Sequence, residues 1–241
     1  MAIYKNTPPI VTNGLVLHLD AGSRQSYVSG STTWTDLSGQ GNTATLKVSG
    51  TPSTSASFSA VNQGSIVFIQ SSSYADCGNI LNYTSGDFSF SYWAYINSLT
   101  TSVVNQGPIV FYKGSYQVNG YYNQIGSDGS AYFYTNQAAA NQGSGTSAGT
   151  IVVGNWYNIA FTRSSSSVRV YVNGVDKTAG VGSHINPTST SNIFTLNVYE
   201  VTVARIFGNI QLSNFMNYNR ALSAQEIAQN YNALKARFGL T

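Results

Sequence analysis

Charge is what this sequence has least of. Of 241 residues, 11 are Lys or Arg and 8 are Asp or Glu, so charged groups make up 8%, against roughly 25% in an ordinary soluble domain. The basic residues are dispersed, with no run among them. The clustered phosphate-neutralising patch that nucleic-acid binding needs is therefore missing. Too little Glu, Lys and Leu excludes a coiled coil. No apolar run approaches the roughly 20 residues of a bilayer-spanning helix. The single cysteine, Cys77, excludes an internal disulfide and a Cys-based zinc site. It reads as a small buried hydrophobe. The opening MAIYKNTPPIVTNG has no basic segment followed by an apolar one, so no secretory signal is read.

What fills the gap is uncharged polarity. Ser, Thr, Asn and Gln together number 91. Aromatic residues reach 13%, with 17 tyrosines, and hydrophobic residues reach 42%. That composition excludes disorder and supplies a sizeable core. The net charge of +3 is a weak field, and solubility must come from neutral side chains.

Most of the chain reads as short strands separated by turn chemistry. Leu15 to Leu19 is an apolar run that ends at Asp20-Ala21-Gly22. Ser65 to Ile69 is another. From Phe88 to Tyr95 the pattern alternates, with Phe88, Phe90, Tyr92 and Ala94 on one face and Ser89, Ser91, Trp93 and Tyr95 on the other. Large residues on both faces predict a strand covered on both sides. Ile109 to Tyr112, Tyr121 to Ile125 and Ala131 to Tyr134 follow, rich in strand-favouring aromatics. Trp156 to Thr162, a turn over Ser164 to Ser167, and Val168 to Val172 form a hairpin, and Asn173-Gly174 is a type I′ turn signal. Ile193 to Tyr199, Val203 to Phe207 and Ile210 to Tyr218 complete the β pattern.

One helix is predicted, over about 223–238. Ser223 and Glu226 have the spacing of a capping box, with Leu222 and Ile227 as its hydrophobic staple. Ile227, Tyr231, Leu234 and Phe238 recur on one face, and Gly239 suits the stop. Residues 136–149 read as a long flexible loop. Residues 1–13 read as an extended arm stiffened by Pro8-Pro9, ahead of a single domain over 14–241. Many short strands with frequent turns predict an all-β, two-sheet antiparallel sandwich.

Five blocks carry a family resemblance. They are Gly14-Leu15-Val16-Leu17-His18-Leu19-Asp20-Ala21-Gly22 with Trp34-Thr35-Asp36-Leu37-Ser38-Gly39-Gln40-Gly41-Asn42; Ser65 to Phe68 with Tyr74 to Asn79; Phe88 to Tyr95; Trp156-Tyr157-Asn158 with Val170 to Gly174; and Asn219-Arg220-Ala221-Leu222-Ser223-Ala224-Gln225-Glu226-Ile227. In this order they resemble a laminin-G-like domain of the concanavalin A-like lectin/glucanase superfamily, over about residues 14–238. The resemblance implies a jelly roll. Its Leu-Asp-Ala-Gly opening and its tail resemble domains common in bacteriophage virion proteins, notably of cyanobacterial and marine phages. Phe68-Ile69-Gln70 departs from the family's frequent "F-D-G" and removes an acidic group, which tells against calcium.

Catalytic chemistry finds little support. A retaining glycosidase needs two carboxylates about 5 Å apart, and in this superfamily the pair is typically two Glu on one strand. The chain has two Glu, Glu200 and Glu226; Glu226 reads as a cap, and Glu200 has no acidic neighbour at i+2 or i+4. His18 lies in a β run and His184 in a Gly/Ser loop. No nucleophile elbow, phosphate loop or dinucleotide fingerprint occurs. The expectation is a non-enzyme. The weak calcium candidates are Asp20, Asp36, Asp76 and Asp128, too few acids for a confident oxygen cage; no other cofactor is read. Asp20 and Asp36 are also simply explained as turn residues.

Two functional readings remain. The first is a virion structural subunit on the surface of a capsid or tail, released by lysis and partnered by other virion proteins and copies of itself. Tyr4, Pro8, Pro9 and Ile10 of the arm would serve its assembly. The second is a lectin-like module. Its glycan-contacting residues would be Tyr112, Tyr116, Tyr121, Tyr122, Asn123, Tyr132 and Tyr134, since aromatic faces stack on sugars while amides bind hydroxyls.

Overall fold

A computed structural model describes residues 8–53, 57–68, 72–101, 106–137, 140–201 and 204–241. Two antiparallel sheets face each other. The first runs Val175–Asp176, Ser167–Val172, Trp156–Ser164, Phe88–Ile96, Ile210–Tyr218, Ser65–Phe68, Ser57–Ser59, with Leu15–Asp20 also on Ile210–Tyr218. The second runs Thr178–Gly180, Ala140–Thr146, Ala131–Gln137, Asn119–Ile125, Ile109–Ser115, Thr195–Leu196, Ser73–Asp76, Ala44–Val48, Thr33–Trp34. The chain passes repeatedly between the two, in the manner of a jelly roll. A separate hairpin, Val198–Val201 with Ala204–Phe207, lies outside the second sheet.

The core fills the space between the sheets and is strongly aromatic. Phe90 stacks on Phe111 at 4.4 Å and Tyr92 on Phe215 at 6.1 Å. Such ring pairs add roughly 0.5–1.5 kcal/mol beyond burial alone. Phe88, Phe90, Tyr92, Ala94 and Ile96 all point into this core, as the period-2 pattern dictates. The opposite face of the same strand is covered too. Trp93 is fully buried and stacks on Phe238 at 4.1 Å and on Tyr231 at 5.7 Å.

Those rings belong to the predicted helix. It spans Ala224–Leu234 and continues as a tighter turn over Lys235–Phe238. The Ser223 side chain accepts from the Glu226 amide at 3.2 Å, and Glu226 Oε2 accepts from the Ser223 amide at 2.9 Å. Leu222 and Ile227 are buried together in the staple position. Gly239 closes the element at φ 72°. Among the described residues no helix is long and apolar enough to cross a membrane.

Two expectations need correcting. The segment read as a flexible loop, 136–149, contains the strand Ala140–Thr146, paired with Ala131–Gln137. Its Gly-rich sequence hides the strand because the side chains that cover it come from next door. The run Ile193 to Tyr199 is broken at Asn197, whose φ of 66° turns the chain out of the sheet. The Asn197 amide holds this bend by donating to the Ser73 and Gly208 carbonyls. The described part of the segment read as an arm lies on the domain. Tyr4 lies outside the described residues, but Pro9 O accepts from Gln229, and Val11 N donates to Asn230 Oδ1 at 2.8 Å. Ile10 packs beside Val11, Tyr218 and Leu222, while Pro8 is exposed. Residues 9–11 thus lie against the chain's own helix.

Cys77 sits in the core, and burial pushes its thiol pKa up. A maleimide therefore labels the chain only after unfolding, because the thiolate is the reactive form. Native labelling at the rate of a free thiol would contradict this placement.

Candidate functional site

Strand parity sorts the candidate tyrosines. Neighbours in a strand point to opposite faces, so Tyr121 and Tyr122 cannot serve one surface. Tyr121 points into the core and donates to the Leu81 carbonyl at 2.6 Å. Asn123 is fully buried; it accepts from Tyr92 OH at 2.6 Å and donates to the Tyr132 carbonyl. These two candidates belong to the interior, where each satisfies a buried polar partner.

The other five meet on the outer face of the second sheet. Tyr112 and Tyr122 form its buried base, beneath Tyr199 of the outlying hairpin. Tyr112 meets Tyr199 edge-on at 4.6 Å, and Tyr116, 46% exposed, meets the same ring at 6.2 Å. Tyr122 stacks on Tyr134 at 4.8 Å, and Tyr134 on Tyr132 at 5.4 Å with 24° between planes. Tyr132 and Tyr134 are half-buried. The result is an aromatic row that runs from beneath the hairpin to open surface.

Glycine shapes the open end. Tyr132 is paired with Gly145 and Tyr134 with Gly143. A Cβ on Gly145 would fall 2.4 Å from the Tyr132 ring, and one on Gly143 would fall 2.6 Å from Tyr134. Both rings therefore lean flat over the neighbouring strand, which any larger residue would prevent. Sequence reasoning missed Gly143 and Gly145; the signal was a Gly-x-Gly in register with Tyr-x-Tyr, legible only once the two strands are paired.

Polar groups edge the row. Gln124 stands across from Tyr132 and is half-buried. Asp128 lies close enough to raise the Tyr134 phenol, which burial and the neighbouring phenols push up to about 12. The Tyr134 hydroxyl is thus a neutral donor and acceptor at any ordinary pH. Asp128 itself stays ionised, its carboxyl held below the usual range by the Ser130 hydroxyl and amide.

The calcium candidates are engaged elsewhere. Asp36 accepts four hydrogen bonds, from the His18, Ser38 and Asn42 amides and the Ser38 hydroxyl. Asp20 pairs with Arg237 at 2.7 Å, and Asp76 with Lys47 at 2.6 Å. Among the described residues no three His, Cys, Asp or Glu side chains converge. A calcium cage of several oxygens does not fit these residues.

Fold and face together define an antiparallel jelly-roll domain with a helix on one outer face and tyrosines on the other. Residues 69–228 match the family model of the concanavalin A-like lectin/glucanases superfamily, and the chain belongs to that family. A sequence search of curated proteins found no match.

Solved structures share the fold at low identity. The binding domain of Paraclostridial Mosquitocidal Protein 1 is 17% identical with a TM-score of 0.69, over 92% of this chain and 52% of that one. Domain 4 of AbnA, an extracellular arabinanase from Geobacillus stearothermophilus, solved with arabinotriose, is 17% identical with a TM-score of 0.64, over 90% of this chain and 98% of that one. The botulinum neurotoxin serotype D ligand binding domain, solved with N-acetylneuraminic acid, is 13% identical with a TM-score of 0.63, over 92% and 51%. The chain thus spans about half the length of the toxin domains it matches. At these identities the likeness is one of fold.

Proposed function

We propose that this chain is a non-enzymatic glycan-binding module, and that sugar rings stack on Tyr132 and Tyr134. The observation that carries the reading is the pair of half-exposed rings laid side by side over Gly143 and Gly145. An exposed aromatic pair offers a flat apolar surface for sugar C–H faces. Phenol hydroxyls, Gln124 and Asp128 supply hydrogen bonds around it. The sugar-bound arabinanase domain and toxin domain support the reading as proteins of the same fold. Against an enzyme, the Glu226 carboxylate is engaged by Arg220 and by the Ser223 amide, which leaves it no free role in acid–base work.

A glycan array probed with the full chain identifies the ligand class, and titration calorimetry then measures it. Replacing both Tyr132 and Tyr134 with Ala is expected to weaken binding at least tenfold, from about 1 kcal/mol for each lost aromatic contact. The thermal midpoint should fall as the Gly-rich strand loses its cover, so affinity is read well below the midpoint of the variant. Unchanged affinity in the double variant would overturn the site. No binding to any glycan would overturn the function.

A second reading is favoured by the composition. With 8% charged residues and 91 Ser, Thr, Asn and Gln, the surface suits a subunit of an assembly. Together with the resemblance to phage domains, this supports display on a virion capsid or tail, with the tyrosine face outward. Light scattering of the chain with and without residues 1–8 separates the readings. An oligomer that falls to monomer on truncation favours a subunit held by its terminal residues.

A further inference from the structure

A concave site lies away from the tyrosine row, at the far edge of the second sheet. The loop over 21–30 leads towards Thr33–Trp34, the edge of the second sheet farthest from the tyrosine row. It meets the edge strand Ser57–Ser59 and the short turn Val61–Gln63. Between them is a pocket of about 420 Å³, within the size range of small-ligand sites. Its floor is aromatic: Tyr27 and Phe58 meet at 5.6 Å. Its wall includes Arg24, Ser29 and Gln63.

Three features set this pocket apart from a surface dimple. The first is Arg24. It is exposed and makes no hydrogen bond or ion pair among the described residues. Most other cations of this acid-poor chain are engaged: Lys47 on Asp76, Arg220 on Glu226 and Arg237 on Asp20. The second is backbone strain. Asn62 and Gln63 stand in succession at φ 54° and 67°. Non-glycine residues held in this region cost of order 1–3 kcal/mol each and concentrate at ligand sites. The third is the device that holds the strain. Arg237 donates from beneath to the Asn62 and Gly64 carbonyls, at 2.7 and 2.8 Å. The rim carrying Gln63 is thereby fixed before any ligand arrives. The loop is fixed as well, by Ser26 between Asp20 N and Thr35 O, and by the Tyr27 amide on Ser23 O.

We propose that this pocket binds a carboxylate-bearing sugar unit. The Arg24 guanidinium takes the carboxylate in a forked pair of hydrogen bonds, the geometry for which arginine is suited. The apolar face of the ring lies on Phe58 and Tyr27. Gln63 and Ser29 hydrogen-bond the hydroxyls. The loop's own carboxylate, Asp20, is neutralised by Arg237 and by the Gly22 amide, so it does not repel an anion. The inference rests on the pocket alone and is independent of the tyrosine face.

The test is a titration of the ¹⁵N-labelled full chain, followed by amide chemical shifts. The probes are sodium D-glucuronate, D-glucose and sodium acetate. Glucuronate is expected to give saturable shifts at Gly22, Ser29 and Gln63. Glucose, which lacks the charge, and acetate, which lacks the ring, should each bind at least tenfold more weakly. Arg24→Gln should weaken glucuronate by about ten- to a hundredfold, the range for a hydrogen bond to a charged group. Tyr132→Ala with Tyr134→Ala should leave it unchanged. Glucose binding as well as glucuronate, acetate binding as well, an unaffected Arg24→Gln variant, or no shifts at tens of millimolar would each overturn the proposal. None of these results bears on the tyrosine face.

Discussion

Arg237→Ala is expected to lower the unfolding free energy by about 3–5 kcal/mol, the cost of removing one partner from a buried ion pair. The reason is the number of groups that converge on this one side chain. Nη1 pairs with Asp20 Oδ1 at 2.7 Å, and Nε donates to Asn62 O at 2.7 Å. Nη2 donates to Gly64 O at 2.8 Å and to Ser213 Oγ. The Arg237 side chain is 6% exposed and that of Asp20 is 15% exposed. Truncation leaves Asp20 without its counter-ion and the Asn62 carbonyl without its arginine donor in a site with little access to water, while Asp20 keeps the Gly22 amide and Gly64 O keeps the Ser213 hydroxyl. It also removes a cation 5.3 Å from the Phe238 ring, which stacks on Trp93.

Arg237→Lys should recover less than half of that loss. A single ammonium cannot reproduce a planar fork that serves four acceptors at once. Gly22 belongs to the same arrangement, because a Cβ there would fall 2.2 Å from Arg237 Nη2. Gly22→Ala should therefore destabilise strongly in the parent and much less in the Arg237→Ala background, a coupling that a double-mutant cycle reads directly. Denaturant unfolding followed by tryptophan fluorescence measures all four forms. A loss below about 1 kcal/mol for Arg237→Ala would mean that Asp20 finds water or another donor. The knot would then not be what fixes the C-terminus and the strained rim.

What the sequence makes legible is what is local. The capping box of Ser223 and Glu226 is readable because both partners lie within one turn. The Asn173-Gly174 turn is readable because both residues must take positive φ, and they do, at 51° and 77°. The Phe88–Ile96 strand is readable from period-2 alternation, including its two covered faces. The jelly-roll order came from family resemblance rather than residue physics.

What the sequence hides is pairing at a distance. Asp20 and Arg237 are 217 residues apart, and nothing local marks Arg237 as different from Lys235. The strand Ala140–Thr146 carries almost no strand-favouring side chains; its cover is lent by Tyr132 and Tyr134. For the same reason the site could be placed only coarsely. Composition gathers tyrosines over 112–134, but only strand parity and register decide that Tyr121 is core and Tyr134 is surface. The pocket beside Arg24 has no sequence signature, because its walls come from two segments some 30 residues apart that meet only when the sheets close.

Acidification supplies the second large effect, and it centres on His184. The ring is 1% exposed and is held between two hydroxyls, Thr135 Oγ1 at Nδ1 and Ser144 Oγ at Nε2, both at 2.9 Å. Hydroxyls accept as readily as they donate, so these bonds do not themselves oppose protonation. Burial opposes it, and so does the nearby Arg163 guanidinium; together they lower the His184 pKa to about 4. Arg163 cannot move away, because it is held by Gly86 O at 2.6 Å and Asn186 Oδ1 at 2.7 Å. In the unfolded chain the same imidazole titrates near 6.5. Above that pH both states are neutral and His184 contributes no pH dependence. Between about 6.5 and 4 the unfolded state holds the extra proton, so stability falls as pH falls. The loss is complete near pH 4 and amounts to about 3 kcal/mol. His18 is shifted down by burial as well and acts in the same direction, so the wild-type slope carries both residues. His184→Gln keeps a polar side chain between the two hydroxyls and removes the titration. Urea unfolding at pH 7.5 and pH 5 should therefore show a drop about 2 kcal/mol larger for wild type than for the variant, which keeps the part carried by His18. An equal drop in both proteins would assign the acid sensitivity to His18 or to the carboxylates instead.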